Sequence, residues 1–84
     1  KIVDALRRCG ATVIITSQLK NAFDCLVIYN GNYYITEIKD GTKSPGLQKL
    51  TEGELKCKTD VERAGGTYHV INSVTSALRM IGIE

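Results

Sequence analysis

Short apolar runs separated by polar turns follow one another along the chain, and the spacing within each run predicts its structure. The first apolar residues recur at helical spacing and predict a helix over Ile2–Cys9, with Gly10 as its stop. The next run, Ala11–Thr16, is β-branched and continuously apolar, which favours a buried strand.

The next two runs predict a hairpin. Cys25–Tyr29 and Asn32–Lys39 are both typical of strands, and they flank Asn30-Gly31. This dipeptide is the strongest short hairpin signal, because a type I′ turn needs positive φ at both central residues. We therefore expect the two strands to be antiparallel neighbours.

A long loop and a capped helix come next. The loop Asp40–Lys49 is longer than most connections, which hints at a functional use. Thr51 and Glu54 fit a capping box at the start of a second helix, which ends at Gly65-Gly66.

A fourth strand, Thr67–Ile71, and a last helix capped by Asn72 or Ser73 complete the chain. The predicted order is α-β-β-β-α-β-α, an α/β fold. Because the first two strands are apolar throughout, we expect a mixed central sheet flanked by helices on both faces. The length of 84 residues predicts a single domain over residues 1–84.

Composition narrows the class of protein. The chain is 43% hydrophobic and 24% charged, which argues against disorder. Its longest apolar run, Cys25–Tyr29, is far too short to cross a membrane, and no signal-peptide pattern opens the chain, so we expect a soluble, cytoplasmic protein. The chain enters a helical pattern at Lys1 without a methionine, so we also expect native residues before it.

Cysteine content and net charge point to no function by themselves. Cys9, Cys25 and Cys57 are odd in number and too widely spaced for a zinc or redox pair, which predicts reduced, buried thiols. The net charge of +2 is too small to indicate nucleic-acid binding. Local clusters of residues must therefore carry any functional interpretation.

Three charged residues stand at the ends of the hairpin strands, where a core is expected. Glu37 and Lys39 share one face of the third strand, and Asp24 opens the second strand across the turn from them. A surface salt-bridge cluster would explain such residues, but two crowded carboxylates also suit a hard divalent cation. A lysine beside a metal can stabilise developing charge or help to deprotonate water, and a phosphodiester is the substrate that suits this combination.

Asp24, the hairpin turn and Glu37-Ile38-Lys39, within this order of elements, resemble the PD-(D/E)xK nuclease superfamily. The stretch from Glu37 to Glu54, followed by a helix, a Gly-Gly break and a strand, is similar to the virus-type replication-repair nuclease domains, called VRR-NUC, of phage and bacterial type. The resemblance covers nearly the whole chain.

The resemblance implies a restriction-endonuclease-like core and a DNA nuclease that depends on Mg²⁺ or Mn²⁺, with branched or flapped DNA as its substrate class. It makes Asp24, Glu37 and the Ile38 backbone carbonyl metal ligands, and Lys39 the catalytic lysine. The alternative is a catalytically silent DNA-binding or assembly module that keeps the same fold.

The chain departs from the family pattern in three places. Phe23 replaces the proline that usually precedes the aspartate, and Glu54 replaces a common glutamine. Asp4 is the only candidate for the acidic residue that many members carry on the first helix, which leaves open how many metal ions would bind.

Several polar residues in the connections are candidates for DNA contacts, although each is also an ordinary solvated residue: Lys20, Lys43, Gln48 and Lys49. His69 lies within a predicted strand without a visible partner, so we expect a packed or edge histidine rather than a general base. The short chain also predicts a homodimer, since a two-fold pair can address two DNA strands.

Overall fold

The computed structural model describes residues 1–84 and contains three helices and four strands. Their order is the predicted one, with a 3₁₀ helix added inside the long loop. The predicted ends of the first helix and of the first, third and fourth strands are each wrong by one residue. The elements are α1 Ile2–Arg8, β1 Thr12–Ile15, β2 Cys25–Tyr29, β3 Asn32–Ile38, the 3₁₀ helix Pro45–Gln48, α2 Glu52–Arg63, β4 Tyr68–Ile71 and α3 Val74–Met80.

The strands form one mixed sheet in the order β1-β2-β3-β4. The β1–β2 and β2–β3 pairs are antiparallel, whereas the β3–β4 pair is parallel, which requires the crossover through α2. Asn30 and Gly31 have φ values of 50° and 80°, so the predicted hairpin turn is confirmed. Tyr29 pairs directly with Asn32 across this turn.

One face of the sheet, here called the core face, is covered by α1 and α3. Paired strand residues such as Val13 and Val27 project to the same side, and Ile71 of β4 joins them. Burial of these apolar groups is the main favourable term in the stability of the domain. The buried core consists of Leu6, Ala11, Val13, Cys25, Val27, Ile71, Ala77 and Ile81.

The opposite face, here called the site face, is only partly covered. Helix α2 contacts β4, and none of its residues is fully buried. The prediction that β1 is a buried strand is wrong, because Ile14 and Ile15 are 47% and 44% exposed and only Val13 is buried. β1 is an edge strand, and α2 lies over the opposite edge of the sheet, so it does not reach Ile14. Helices therefore lie on both faces, as expected, but on the site face α2 covers only the edge formed by β4.

Both predicted helix caps are present. The Glu54 amide donates to Thr51 Oγ1 at 3.2 Å, and the Thr51 amide donates to Glu54 Oε1 at 2.8 Å, which completes the capping box of α2. Ser73, rather than Asn72, is the capping residue of α3. Local hydrogen bonds therefore fix the chain direction where the long loop enters α2 and where β4 leads into α3.

The three cysteines are free thiols, but the prediction that all are buried is wrong. Only Cys25, in the core, is buried. Cys9 directly follows α1, and Cys57 lies on the thinly packed α2, so both remain partly exposed. None of the helices combines the length and the apolar character that crossing a bilayer requires.

Candidate active site

The hairpin brings Asp24 to the end of β3, as the sequence predicts. Asp24 directly precedes β2, and its amide donates to the Thr36 carbonyl at 3.0 Å. Its Oδ2 accepts a hydrogen bond from the Ile38 amide at 2.7 Å. The Ile38 amide therefore lies beside the Asp24 carboxylate, and the role of the Ile38 carbonyl as a metal ligand stays a prediction.

Glu37 is the one buried carboxylate of the protein, with 2% of its surface exposed. It projects to the site face, where the Tyr68 hydroxyl donates to its Oε1 at 3.2 Å. Tyr68 reaches it because the parallel register pairs Tyr68 with Ile35, two residues before Glu37 on the same face. This contact is not predictable from the sequence, where Tyr68 is an ordinary strand tyrosine.

Lys39 bridges two carboxylates. Its Nζ lies 2.7 Å from Glu54 Oε1 and 3.7 Å from Glu37 Oε2. The Lys39 amide donates to the Ile71 carbonyl at 2.9 Å, which fixes the backbone of Lys39 beside the end of β4. Glu37 and Lys39 therefore lie on the same side of the sheet, as the alternation of strand residues predicts.

Glu54 serves both the helix cap and the site. Its Oε1 accepts hydrogen bonds from the Thr51 amide and from the Lys39 ammonium. Burial alone would raise the pKa of Glu54, but the bonds from Lys39 and Thr51, with a smaller effect of Glu37, lower it to about 2. Glu54 is therefore ionised at neutral pH and holds Lys39 in place. The capping box predicts the first of these roles from the sequence, whereas no sequence signal indicates the pairing with Lys39.

Carboxylates outnumber cations in this cluster, and the pKa values of its members reflect the imbalance. Burial, followed by the neighbouring Glu54 and Asp24, raises the pKa of Glu37 to about 8. Burial lowers the pKa of Lys39, but Glu54, Glu37 and Asp24 outweigh it and leave the pKa raised, so Lys39 stays an ammonium. Burial and Glu37 also raise the pKa of Tyr68, which keeps its hydroxyl as a donor.

An open cleft of about 210 Å³, here called the carboxylate cleft, leads to these groups. The carboxylates of Asp24, Glu37 and Glu54 line it, together with residues of the segment 17–23. From the sequence, this segment is only a polar connection. Gly53 lets this segment approach α2, because a Cβ at Gly53 would overlap the Asn21 side chain. Asp24, Glu37 and Glu54 thus line one common cleft that is open to solvent.

The four candidate DNA-contact residues lie outside the carboxylate cleft. Lys20, Lys43 and Lys49 are exposed and available to a partner. The side-chain amide of Gln48 instead donates to the Lys43 carbonyl at 2.7 Å and accepts from Asn72 at 3.0 Å. Gln48 therefore has a structural role in the long loop, and contact of any of the four with DNA stays a prediction.

Two other ionisable residues lie away from this cluster. His69 packs edge to face against Tyr34, with 5.4 Å between ring centroids, and burial lowers its pKa. It pairs with Thr36 and projects to the core face, so the expectation of a packed histidine is confirmed. Asp4 is exposed on α1 and does not line the carboxylate cleft.

Comparison with known proteins adds no assignment to this geometry. No protein-family model, curated protein or solved structure matches the chain. Within the structure, no group of three or more His, Cys, Asp and Glu side chains is placed to hold a metal ion. The functional interpretation therefore rests on Asp24, Glu37 and Lys39 and on the groups that hold them.

Proposed function

We propose that this protein is a nuclease that hydrolyses DNA phosphodiester bonds with the help of Mg²⁺ or Mn²⁺. One observation carries the proposal: the buried Glu37 shares the end of the hairpin with Asp24 and with the Lys39 ammonium, 3.7 Å away. The order of elements and the mixed sheet support a restriction-endonuclease-like core, in line with the resemblance to VRR-NUC domains.

The chemistry of the donor set suits a hard divalent cation. Asp24 and Glu37 supply carboxylate oxygens, and the Ile38 backbone lies beside Asp24. Burial, together with the nearby Glu54 and Asp24 carboxylates, raises the pKa of Glu37 to about 8, so that Glu37 binds a proton at neutral pH. A divalent cation held by Asp24 and Glu37 would take the place of this proton, with water completing its coordination.

The bound metal ion would supply Lewis-acid activation of the phosphodiester and of the attacking water. Lys39, an ammonium held against Glu37 and Glu54, stabilises the negative charge that develops on the phosphoryl oxygens rather than accepting a proton. The Tyr68 hydroxyl orients Glu37, and the Ile38 amide orients Asp24.

The exposed lysines of two connections form the DNA-binding surface in this proposal. Lys20, Lys43 and Lys49 would contact phosphates, which position the DNA without reading its sequence. Gln48 would act indirectly, by shaping the loop that carries Lys43 and Lys49. Branched or flapped DNA is the proposed substrate class, and a homodimer would present two sites to its two strands.

A charge-neutral variant of Lys39 tests the mechanism. Lys39→Gln keeps a donor for Glu54 but removes the ammonium, so we expect unchanged folding and Mn²⁺ binding but cleavage slowed by ~10²- to 10⁴-fold. The measurement is a gel assay on flapped DNA with Mg²⁺ or Mn²⁺, after circular dichroism has shown matched folding. Lys56→Gln is the control, since Lys56 is 74% exposed and pairs with Asp60 on α2. Cleavage by Lys39→Gln at the wild-type rate would contradict the mechanism.

Metal titration separates the nuclease from a silent module. Asp24→Asn and Glu37→Gln should each abolish Mn²⁺ binding in calorimetry, because each removes an anionic ligand with little change in shape. Unchanged affinity in both variants would overturn the assignment of the site. Wild-type protein that binds DNA but cuts it with neither ion would be the DNA-binding or assembly module, an alternative favoured by the tight 2.7 Å contact of Lys39 with Glu54.

A further inference from the structure

A second and larger cleft, of about 800 Å³, lies next to the candidate active site, and we call it the flanking cleft. Its walls come from the start of α1, from segment 38–42 after β3, and from segment 72–74 between β4 and α3. It thus lies where the two parallel strands end. Open α/β sheets characteristically bind ligands outside the carboxyl ends of their strands.

The wall after β3 is held in place by contacts to the end of β4. The Gly41 backbone lies so close to the Asn72 carbonyl that a Cβ at Gly41 would overlap it. The Asn72 side chain donates to Gln48 at 3.0 Å, which ties the same loop down further along. Asp40 accepts hydrogen bonds from the amide and hydroxyl of Thr42 at 2.9 Å and 2.6 Å, which engages its carboxylate within the loop. The cleft is therefore a formed feature of the fold.

The lining combines apolar, neutral polar and cationic groups with the Asp40 carboxylate, which already accepts the two hydrogen bonds from Thr42. Lys39 is one of the lining residues of the flanking cleft, and its Nζ lies 3.7 Å from Glu37 Oε2 in the candidate active site. Such a lining suits a ligand with an apolar ring, polar edges and an anionic end, and a nucleotide has all three. The aliphatic lining residues are Ile2, Val3, Ile38 and Val74, and the neutral polar ones are Thr42, Asn72 and Ser73.

We propose that the flanking cleft binds one unpaired nucleotide of the DNA, adjacent to the phosphodiester that is cut. The identity of this ligand rests on the proposed function, because Lys39 connects the cleft to the site at which the phosphodiester would lie. A base reaches such a cleft only when it is outside the double helix. The bond that is cut therefore lies beside a single-stranded nucleotide, as in a flap.

Two neighbouring positions on α3 provide a matched test. Val74→Glu places a bulky anion in the flanking cleft, whereas Thr75→Glu places the same group one residue further, outside the lining. Both positions are exposed in the first turn of α3, where an acidic residue is compatible with the helix. The two variants should therefore fold alike and differ only in the cleft.

The probe is thymidine 5′-monophosphate, titrated into the metal-free full chain and followed by the backbone amide signals in NMR spectra. In the wild type and in Thr75→Glu, we expect shifts of the Thr42, Asn72 and Val74 amides. Val74→Glu should weaken the affinity by about tenfold or more, because an anion then faces the phosphate. Inorganic phosphate alone should shift only the amide signals of residues near Lys39.

The proposal would be overturned if the nucleotide left the amide signals of Thr42, Asn72 and Val74 unshifted. It would also be overturned if both variants weakened the nucleotide affinity equally. Its failure is distinguishable from failure of the nuclease. Nucleotide binding in the cleft without metal-dependent cleavage would support the cleft and overturn the nuclease. Metal-dependent cleavage without nucleotide binding in the cleft would support the nuclease and overturn the nucleotide site.

Discussion

The core face and the site face use alternate residues of the same strands, but only the site face buries a carboxylate. On the core face, Leu6, Val27 and Ala77 are fully buried among apolar neighbours. On the site face, the buried groups are Glu37 and Tyr68, which are joined by a hydrogen bond. Burial of an apolar side chain stabilises the fold, whereas burial of a carboxylate costs free energy and raises its pKa. The buried carboxylate on the site face therefore lowers the stability of the fold, and it belongs to the candidate active site.

A step of one residue along β3 separates the two environments. The Thr36 hydroxyl, on the core face, donates to the Tyr34 carbonyl at 2.9 Å, and it makes a longer contact of 3.6 Å with Met80 Sδ of α3. Glu37, the next residue, faces Tyr68 and Lys39 instead. Since a shift of one residue would exchange the faces, the hairpin register decides whether Glu37 is a site residue or a misplaced core residue.

The largest expected difference between the faces is in packing. Leu6→Ala should lower the free energy of unfolding by about 2–5 kcal/mol, because Leu6 is fully buried and its loss leaves a cavity. Leu55→Ala on α2 should lower it by about 1 kcal/mol or less, because Leu55 is 50% exposed. Urea unfolding followed by circular dichroism measures both variants. Equal losses would contradict the asymmetry between the faces.

The next effect is the pH dependence that Glu37 imposes. Its pKa is raised from 4.5 to about 8, so the folded state binds the extra proton between these values. Its contribution to stability is therefore complete below pH 4.5 and is lost as the pH rises to about 8. The loss is on the order of 3 kcal/mol in metal-free protein. Glu37→Gln should lack this loss and be more stable than the wild type at pH 8.

Urea unfolding at pH 5 and at pH 8, in a chelator, measures this effect. Glu52→Gln, an exposed position in the first turn of α2, is the matched control. Excess Mn²⁺ at pH 8 should stabilise the wild type but not Glu37→Gln. If the wild type loses no more stability between pH 5 and pH 8 than Glu37→Gln does, Glu37 does not sustain a raised pKa.

Sequence predicts the part of the site that depends on local structure. The Asn30-Gly31 turn fixes the hairpin register, and this register places Asp24 beside the end of β3. The position of Tyr68 depends on the register of a parallel pair joined by a long crossover, which no local signal sets. The exposure of Ile14 likewise depends on where α2 packs and not on the apolar character of β1.

A smaller effect concerns the link between α2 and Lys39. Glu54→Gln can keep the capping box but loses the charge that holds Lys39, so we expect a loss of about 1 kcal/mol at neutral pH. The pKa of Glu54 is lowered from 4.5 to about 2, so its contribution is present above pH 4.5 and disappears as the pH falls towards 2. Wild type and variant should therefore converge in acid. Urea unfolding across this range checks the convergence, and a constant difference would contradict it.

The smallest effect belongs to the core face and comes from His69. Burial lowers its pKa below 6.5, so the fold favours the neutral ring, and its contribution to stability is present above pH 6.5 and lost as the pH falls through the lowered pKa. Because the chain contains one histidine, the ring protons of tag-free protein give a single titration curve in NMR spectra. We expect its midpoint below 6.5 in the wild type. We expect the same midpoint in Glu37→Gln, since His69 projects to the face opposite Glu37. A midpoint that moves with Glu37→Gln would show that the two faces are electrostatically coupled, and it would contradict the separation of the core face from the site face.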